Sequence, residues 1–179
     1  YDANGELHKG WLNTENGYYY LNLSTGKMTV GWEKINNKWY YFQGNGVMAT
    51  GWVKDNGKYY YMLTDGTMHT GWVSIDNVFY YLGDSGAMAT GWVNMDNGWY
   101  YFDPNDGKCT VNSAREIKDS WYMFGSDGKM VIGWQQVDGG YYYFHTDGKM
   151  LTGWLSDGTN SYYMDPANGR MSTGWKQIE

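Results

Sequence analysis

Short runs of aromatic and β-branched residues recur along the chain, each broken by a turn and followed by a polar loop that contains glycine. One period, read from Trp52, is Trp-Val-Lys-Asp-Asn-Gly-Lys-Tyr-Tyr-Tyr-Met and then Leu-Thr-Asp-Gly-Thr-Met-His-Thr-Gly. Asn56-Gly57 between two such runs is a strong short-range signal for a two-residue hairpin turn. The same chemistry stands at Asn16-Gly17, Asp96-Asn97-Gly98 and Asp138-Gly139-Gly140. Each period therefore predicts a short hairpin and then a loop such as Thr64-Asp65-Gly66 or Thr146-Asp147-Gly148. An isolated hairpin of this size is marginal in water. The pattern predicts an all-β chain in which short hairpins stack on their neighbours as a β-solenoid.

The period is fixed by the dipeptide Gly-Trp, whose tryptophan falls at 11, 32, 52, 72, 92, 134, 154 and 175, about 20 residues apart except for one double gap. Inside that gap, residues 107–130 hold a degenerate repeat: Gly107 to Phe124 aligns with Gly26 to Phe42 with one residue inserted. Asn112 and Ser113 stand where Gly-Trp is expected, so Ser113 takes the tryptophan slot and the hairpin is expected to be one residue longer. Residues 1–179 are expected to form a single repeat module of about eight to nine hairpins, cut in mid-repeat at both ends. That phase predicts a segment of a larger secreted protein, fused to a further domain outside this chain.

Composition narrows the classes of function. Aromatics make up 20%, with 11 Trp and 19 Tyr, while mean hydropathy is −0.67. The apolar mass is carried by large rings with polar tips, which can pack on one another and still line a ligand site. A net charge of −6 argues against a nucleic-acid binder, which needs a basic stripe to neutralise phosphates. No apolar run is long enough to span a membrane. Cys109 stands alone, which excludes a disulfide framework and a cysteine metal motif. His8, His69 and His145 lie far apart, and no nucleophile–base–orienter set can be recognised. The Asp-Gly loops lack a calcium repeat pattern and are read as turns. Neither an enzyme nor a cofactor or metal is expected.

With the Gly-Trp tryptophan counted as position zero, an aromatic recurs at position seven and a tyrosine at position eight. Side chains alternate across a strand, so positions seven and eight face opposite sides of a hairpin. Stacking then brings the zero and seven rings of one repeat against the position-eight tyrosine of the next, with the methionine four residues before the next Gly-Trp tryptophan. The two sets richest in indole are Trp32, Trp39, Met48 and Tyr60, and Trp92, Trp99 and Tyr122, the latter with Cys109 at the methionine slot. Four mixed sets follow: Trp11, Tyr18, Met28 and Tyr40; Trp52, Tyr59, Met68 and Tyr80; Trp72, Phe79, Met88 and Tyr100; and Trp134, Tyr141, Met150 and Tyr162. Rings around a small concavity with a thioether, and with no charge required, form an aromatic cage. Its matching ligand is a quaternary ammonium group, which donates no hydrogen bond and is held by ring quadrupoles and methyl contact. Two or three rings give about 1 mM affinity per site, and many sites on one array compensate through avidity.

The residues Gly51-Trp52-Val-Lys-Asp-Asn-Gly-Lys-Tyr-Tyr-Tyr and Asp147-Gly148-Lys-Met-Leu-Thr-Gly-Trp154 resemble the repeats of the choline-binding modules of Gram-positive surface proteins and their phages. The likeness covers essentially all of residues 1–179. It implies a left-handed solenoid, choline of teichoic or lipoteichoic acid as partner, and noncovalent attachment at the cell wall of a secreted protein. The departures are Phe79 and Ser161 at position-seven slots, Cys109 and Leu7 at methionine slots, and Ser113 at a tryptophan slot. In the degenerate repeat the cage of Trp121, Met130 and Tyr142 lacks its indole and has Arg115 nearby, so it is expected to hold no choline. Two other classes compete. One is binding of glucan or another oligosaccharide, which needs amide and carboxylate partners beside the stacked ring; the other is an inert spacer, in which the position-zero tryptophan should decay. Residues at positions nine and ten, such as Tyr41, Phe42, Tyr101 and Phe102, are expected to be core.

Overall fold

A computed structural model describes residues 5–95 and 98–174. Among them the regular structure is eight antiparallel hairpins: β1 (Gly10–Thr14) with β2 (Gly17–Leu21), β3 (Gly31–Ile35) with β4 (Lys38–Phe42), β5 (Gly51–Asp55) with β6 (Lys58–Met62), β7 (Gly71–Ile75) with β8 (Val78–Leu82), β9 (Gly91–Met95) with β10 (Gly98–Phe102), β11 (Ser113–Ile117) with β12 (Ser120–Phe124), β13 (Gly133–Val137) with β14 (Gly140–Phe144), and β15 (Gly153–Ser156) with β16 (Ser161–Met164). The chain is all-β, a solenoid-type array of short hairpins. Its contacts gather into two units, Tyr1–Ala89 and Thr90–Glu179, each described by itself below.

The turns explain why the hairpins close where they do. Asn36 and Asn37 have φ of 50° and 63°, Asp76 and Asn77 of 52° and 63°, and Asn56-Gly57 of 47° and 79°. Positive φ at both central residues is the type I′ turn whose twist matches the flanking strands, and Asn, Asp and Gly tolerate it best. One turn sits one residue from its expected place: in the first hairpin Glu15 and Asn16 form the turn, and Gly17 already pairs with Thr14. In the seventh, Asp138 and Gly139 turn within the expected Asp138-Gly139-Gly140, and Gly140 pairs with Val137. Asp96 and Asn97 lie outside the described residues.

Within each unit the core is built on the position-ten residues. Phe42, Met62, Leu82, Phe102, Phe124 and Met164 are buried, and Ile35, Val53 and Ile117 close it from the first strands of their hairpins. After each hairpin the loop folds back so that its methionine, or Cys109 after the fifth, bridges the position-ten residue, as in Phe42 with Met48, Phe102 with Cys109 and Phe124 with Met130. The same methionine's amide then reaches the preceding hairpin, donating to the position-seven carbonyl: Met48 to Tyr18 at 2.7 Å, Met68 to Trp39 at 2.8 Å, Met130 to Trp99 at 2.7 Å, and Met150 to Trp121 at 2.8 Å. A backbone hydrogen bond thus ties consecutive repeats at the edges of these ring sets.

The degenerate repeat departs from its expected register. Ser113 pairs with Phe124 and Ala114 with Met123, as Gly133 pairs with Phe144 and Trp134 with Tyr143 in the next hairpin. Ala114, not Ser113, occupies the tryptophan slot, and the hairpin keeps its ordinary length. The extra residue is Asn112, at φ 45°, accommodated ahead of the strand and held by its N–H on the Gly125 carbonyl at 2.8 Å. Sequence spacing fixed the presence of an insertion but not which side of the strand absorbed it.

Candidate functional site

Five junctions within the units are organised by a position-zero tryptophan, Trp11, Trp32, Trp52, Trp92 or Trp134, which sits between two tyrosines. One is its own cross-strand partner at position nine, the other the position-eight tyrosine of the following hairpin. Trp11 meets Tyr20 at 5.2 Å and Tyr40 at 5.0 Å, both edge-to-face. Trp92 meets Tyr101 at 5.1 Å and Tyr122 at 4.8 Å in the same manner. This is the favourable geometry for aromatic pairs, so the rings that could grip a ligand also hold the repeats together. The position-seven ring stands outside that stack. Trp39 and Trp99 are 42% and 45% exposed, and each lies 6.3 Å from Trp32 and Trp92 respectively, at nearly a right angle.

Two concavities are complete within their units. Trp11, Tyr18 and Tyr40 line one, and Trp92, Trp99 and Tyr122 the other, which encloses about 370 Å³. The ring sets predicted from spacing are brought together here, but their methionine comes from one repeat further on. Met48 lines the Trp11 concavity and Met130 the Trp92 concavity. The position-seven carbonyl captures the amide of the loop after the following hairpin, which carries that later methionine inward. Met28 instead lies beneath Gly46, where a Cβ would come within 2.2 Å of its sulfur. Cys109 lies against Gly128, and burial raises its thiol pKa to about 11, so it stays protonated and unreactive near neutrality.

The remaining sets follow the same displacement. Trp32 lies 4.8 Å from Tyr60, Trp52 lies 5.1 Å from Tyr80, and Trp134 lies 4.9 Å from Tyr162. The methionines whose amides dock beside them are Met68, Met88 and Met171, in place of the expected Met48, Met68 and Met150. Lys54 places its ammonium 5.1 Å from the Tyr59 ring and Lys34 lies 5.9 Å from Trp39, each from the cross-strand position. Trp72, Phe79 and Met88 belong to the first unit and Tyr100 to the second, so that set stays an expectation from the sequence.

Loops from two repeats further on complete both concavities: Thr64 and Asp65 at the first, Thr146 and Asp147 at the second. The sequence alone presents these loops as turns and requires no charge in the cage. Both roles are present. Asp65 accepts the Thr67 N–H at 2.9 Å and its hydroxyl at 2.6 Å, an Asx turn that holds the loop. Those bonds hold the carboxyl below its ordinary range. Burial first, and then the charge of Asp65, push the Tyr40 hydroxyl up. Asp147 is ionised for a similar reason, its oxygen accepting the Lys149 N–H, but Lys149 also pairs with it at 3.1 Å. A recurring Asp before the loop glycine, at 65, 127 and 147, was the signal available for these residues.

At the degenerate repeat the arrangement changes. Trp121, Tyr142 and Met150 keep their places, but with Ala114 in the tryptophan slot they line a wider cleft of about 710 Å³. Met130 belongs to the Trp92 concavity, not to this one. Arg115 does not face the cleft either: it pairs with Asp103 and stacks 5.1 Å from the Tyr101 ring. Among the described residues no group of three or more His, Cys, Asp or Glu could hold a metal ion.

Comparison with known proteins gives consistent matches. The family described as "Choline-binding repeat" matches residues 29–70, 69–113 and 131–175. The family described as "Putative cell wall binding repeat" matches 115–130, within the degenerate repeat. Among solved structures, CbpJ from Streptococcus pneumoniae TIGR4 is 30% identical with a TM-score of 0.85, over 93% of this chain and 66% of that one. Choline binding protein F from Streptococcus pneumoniae is 32% identical with a TM-score of 0.81, over 93% and 58%. The modular autolysin LytC of the same species is 26% identical with a TM-score of 0.62, over 92% and 39%. The chain thus spans under two thirds of the length of each of these structures. The comparison with curated proteins finds no match.

Proposed function

The chain belongs to the choline-binding repeat family, and on that premise we propose that it fastens its bearer noncovalently to a cell wall by holding choline groups of teichoic or lipoteichoic acid between consecutive hairpins. The observation that carries this reading is the Trp92 concavity. Two indoles at nearly a right angle, a tyrosine, a thioether and an ionised carboxylate surround one small space. A trimethylammonium group has a diffuse positive charge and an apolar surface. The ring faces attract the charge by about 0.5–2 kcal/mol each, the methionine matches the methyl groups, and Asp147 adds Coulomb attraction at the rim.

The Trp11 concavity supports the same role with Asp65 less neutralised, and the Trp32, Trp52 and Trp134 ring pairs extend it. The set of Trp72, Phe79 and Tyr100 is proposed by repetition, with Phe the weakest wall. Each cage binds at about the millimolar level, and several cages on one chain raise retention on a polymer by avidity. The module itself supplies binding rather than catalysis. Its setting is the bacterial surface, where LytC, a modular autolysin, illustrates how such repeats accompany another domain.

Titration of tryptophan fluorescence with choline tests the reading. Saturation, with no displacement of choline by glucose oligomers, is expected. A signal that glucose oligomers displace, or that choline fails to saturate, contradicts it.

A further inference from the structure

The degenerate repeat preserves its hairpin and replaces one indole by a methyl group. The cleft so opened, about 710 Å³, is roughly twice the Trp92 cage and lies within the usual range for small-ligand pockets. Its aromatic floor survives: Trp121 is 43% exposed, with Tyr142 and Met150 beside it. Its other wall is polar. The side chains of Asn112, Ser113 and Asp119 line it and make no hydrogen bond to another described residue. Asn168 engages only its amide oxygen, which accepts the Arg170 N–H at 2.9 Å, leaving its NH₂ free to donate.

This combination is ill suited to a quaternary ammonium group, which has lost a ring wall and can neither donate to nor accept from the polar side chains. A pyranose ring has the complementary construction, with an apolar C–H face to stack on an indole and equatorial hydroxyl or acetamido groups that exchange hydrogen bonds with amides and carboxylates. Arg115 is engaged with Asp103 and Tyr101, and Lys149, the cation that lines the cleft, pairs with Asp147 at 3.1 Å, so neither leaves an unpaired cation to draw an anion into it. We infer that the cleft between the β11–β12 and β13–β14 hairpins is a second ligand site, for a sugar unit of an oligosaccharide, with Trp121 as platform and Asn112, Ser113, Asp119 and Asn168 as hydrogen-bonding partners.

The test uses the whole chain saturated with choline and chitotriose, a trimer of N-acetylglucosamine, as the probe. Calorimetry should give saturable sugar binding, and the indole signal of Trp121 should shift with the same dependence in nuclear magnetic resonance spectra. Trp121→Ala should weaken the sugar about tenfold or more and leave retention on a choline matrix unchanged. Asn168→Ala should weaken it with the aromatic floor intact. Ala114→Trp, which returns an indole to the slot, should abolish sugar binding and add one choline per chain. No saturable binding by the unmodified protein, binding undiminished in both Trp121→Ala and Ala114→Trp, or displacement of the sugar by choline would overturn the inference. Should choline itself fail to bind, the sugar titration without it still decides this site separately.

Discussion

The Trp92 and Ala114 junctions share a backbone and differ in what they enclose. In both, two five-residue strands pair in the same register, a position-seven indole stands outside, and a methionine amide docks on its carbonyl. At Trp92 the position-zero ring packs against Tyr101, Tyr122 and Phe124 and narrows the space to a cage. At Ala114 that ring is absent, the space widens, and the polar side chains of Asn112, Ser113, Asp119 and Asn168 come to its edge. The framework is held by main-chain pairing and the buried position-ten residues, so one side chain can alter the ligand chemistry of a junction without unmaking it.

The comparison is broken most severely at the ring itself. Trp92→Ala should lower unfolding free energy by about 3 kcal/mol, as loss of a well-packed indole does, and remove one choline per chain. Trp121→Ala, at an exposed ring, should cost under about 1 kcal/mol. Chemical denaturation of the two variants checks the contrast, and equal losses would mean that the indoles play one structural role. Next comes Gly148→Ala. A Cβ there would meet the Met130 sulfur at 2.1 Å on a residue at φ 81°, so it should cost about 1–3 kcal/mol and empty the Trp92 cage by displacing its thioether. Choline stoichiometry by calorimetry reads that directly.

Smaller effects sharpen the contrast. The degenerate hairpin turns through Lys118 and Asp119 at φ 50° and 59°, with a lysine where the other positive-φ hairpin turns have Asn, Asp or Gly. Lys118→Asn should raise stability by about 1 kcal/mol, visible as a shift in denaturation midpoint with choline binding unaltered. The smallest effect concerns pH. The Asp65 carboxyl lies below its ordinary range because it accepts hydrogen bonds from Thr67. Its contribution to the folded state is therefore present above the unfolded pKa and is lost as pH falls through the lowered folded value. Choline has no titrating group, so binding at the Trp11 cage should hold constant from neutrality to the ordinary carboxylate range and decline below it. Asp65→Asn should remove that decline, as equilibrium dialysis across pH would record.

The spacing of Trp92, Trp99 and Tyr122 was legible in the sequence because strand alternation and repeat length together dictate which rings meet. Which methionine joined them was not. Met130 reaches the cage through a loop that crosses back over the preceding hairpin, and local periodicity carries no record of that crossing. Asp65 and Asp147 were hidden for a related reason: an Asp-Gly loop reads as turn chemistry whether or not its outer oxygen faces a site two repeats away. At the degenerate repeat, counting residues placed the insertion within the hairpin, whereas strand pairing is strong enough to expel Asn112 into the connection and keep Ala114 in register.

The central claim is that choline is held in the ring sets between hairpins and not where the position-zero indole is missing. A crystal of the chain grown with choline, with the trimethylammonium group located by its electron density, tests this most directly. The account predicts the ligand among Trp92, Trp99, Tyr122 and Met130 and none against Trp121. Choline resting on Trp121 at equal occupancy, or found only away from the junctions, would contradict it.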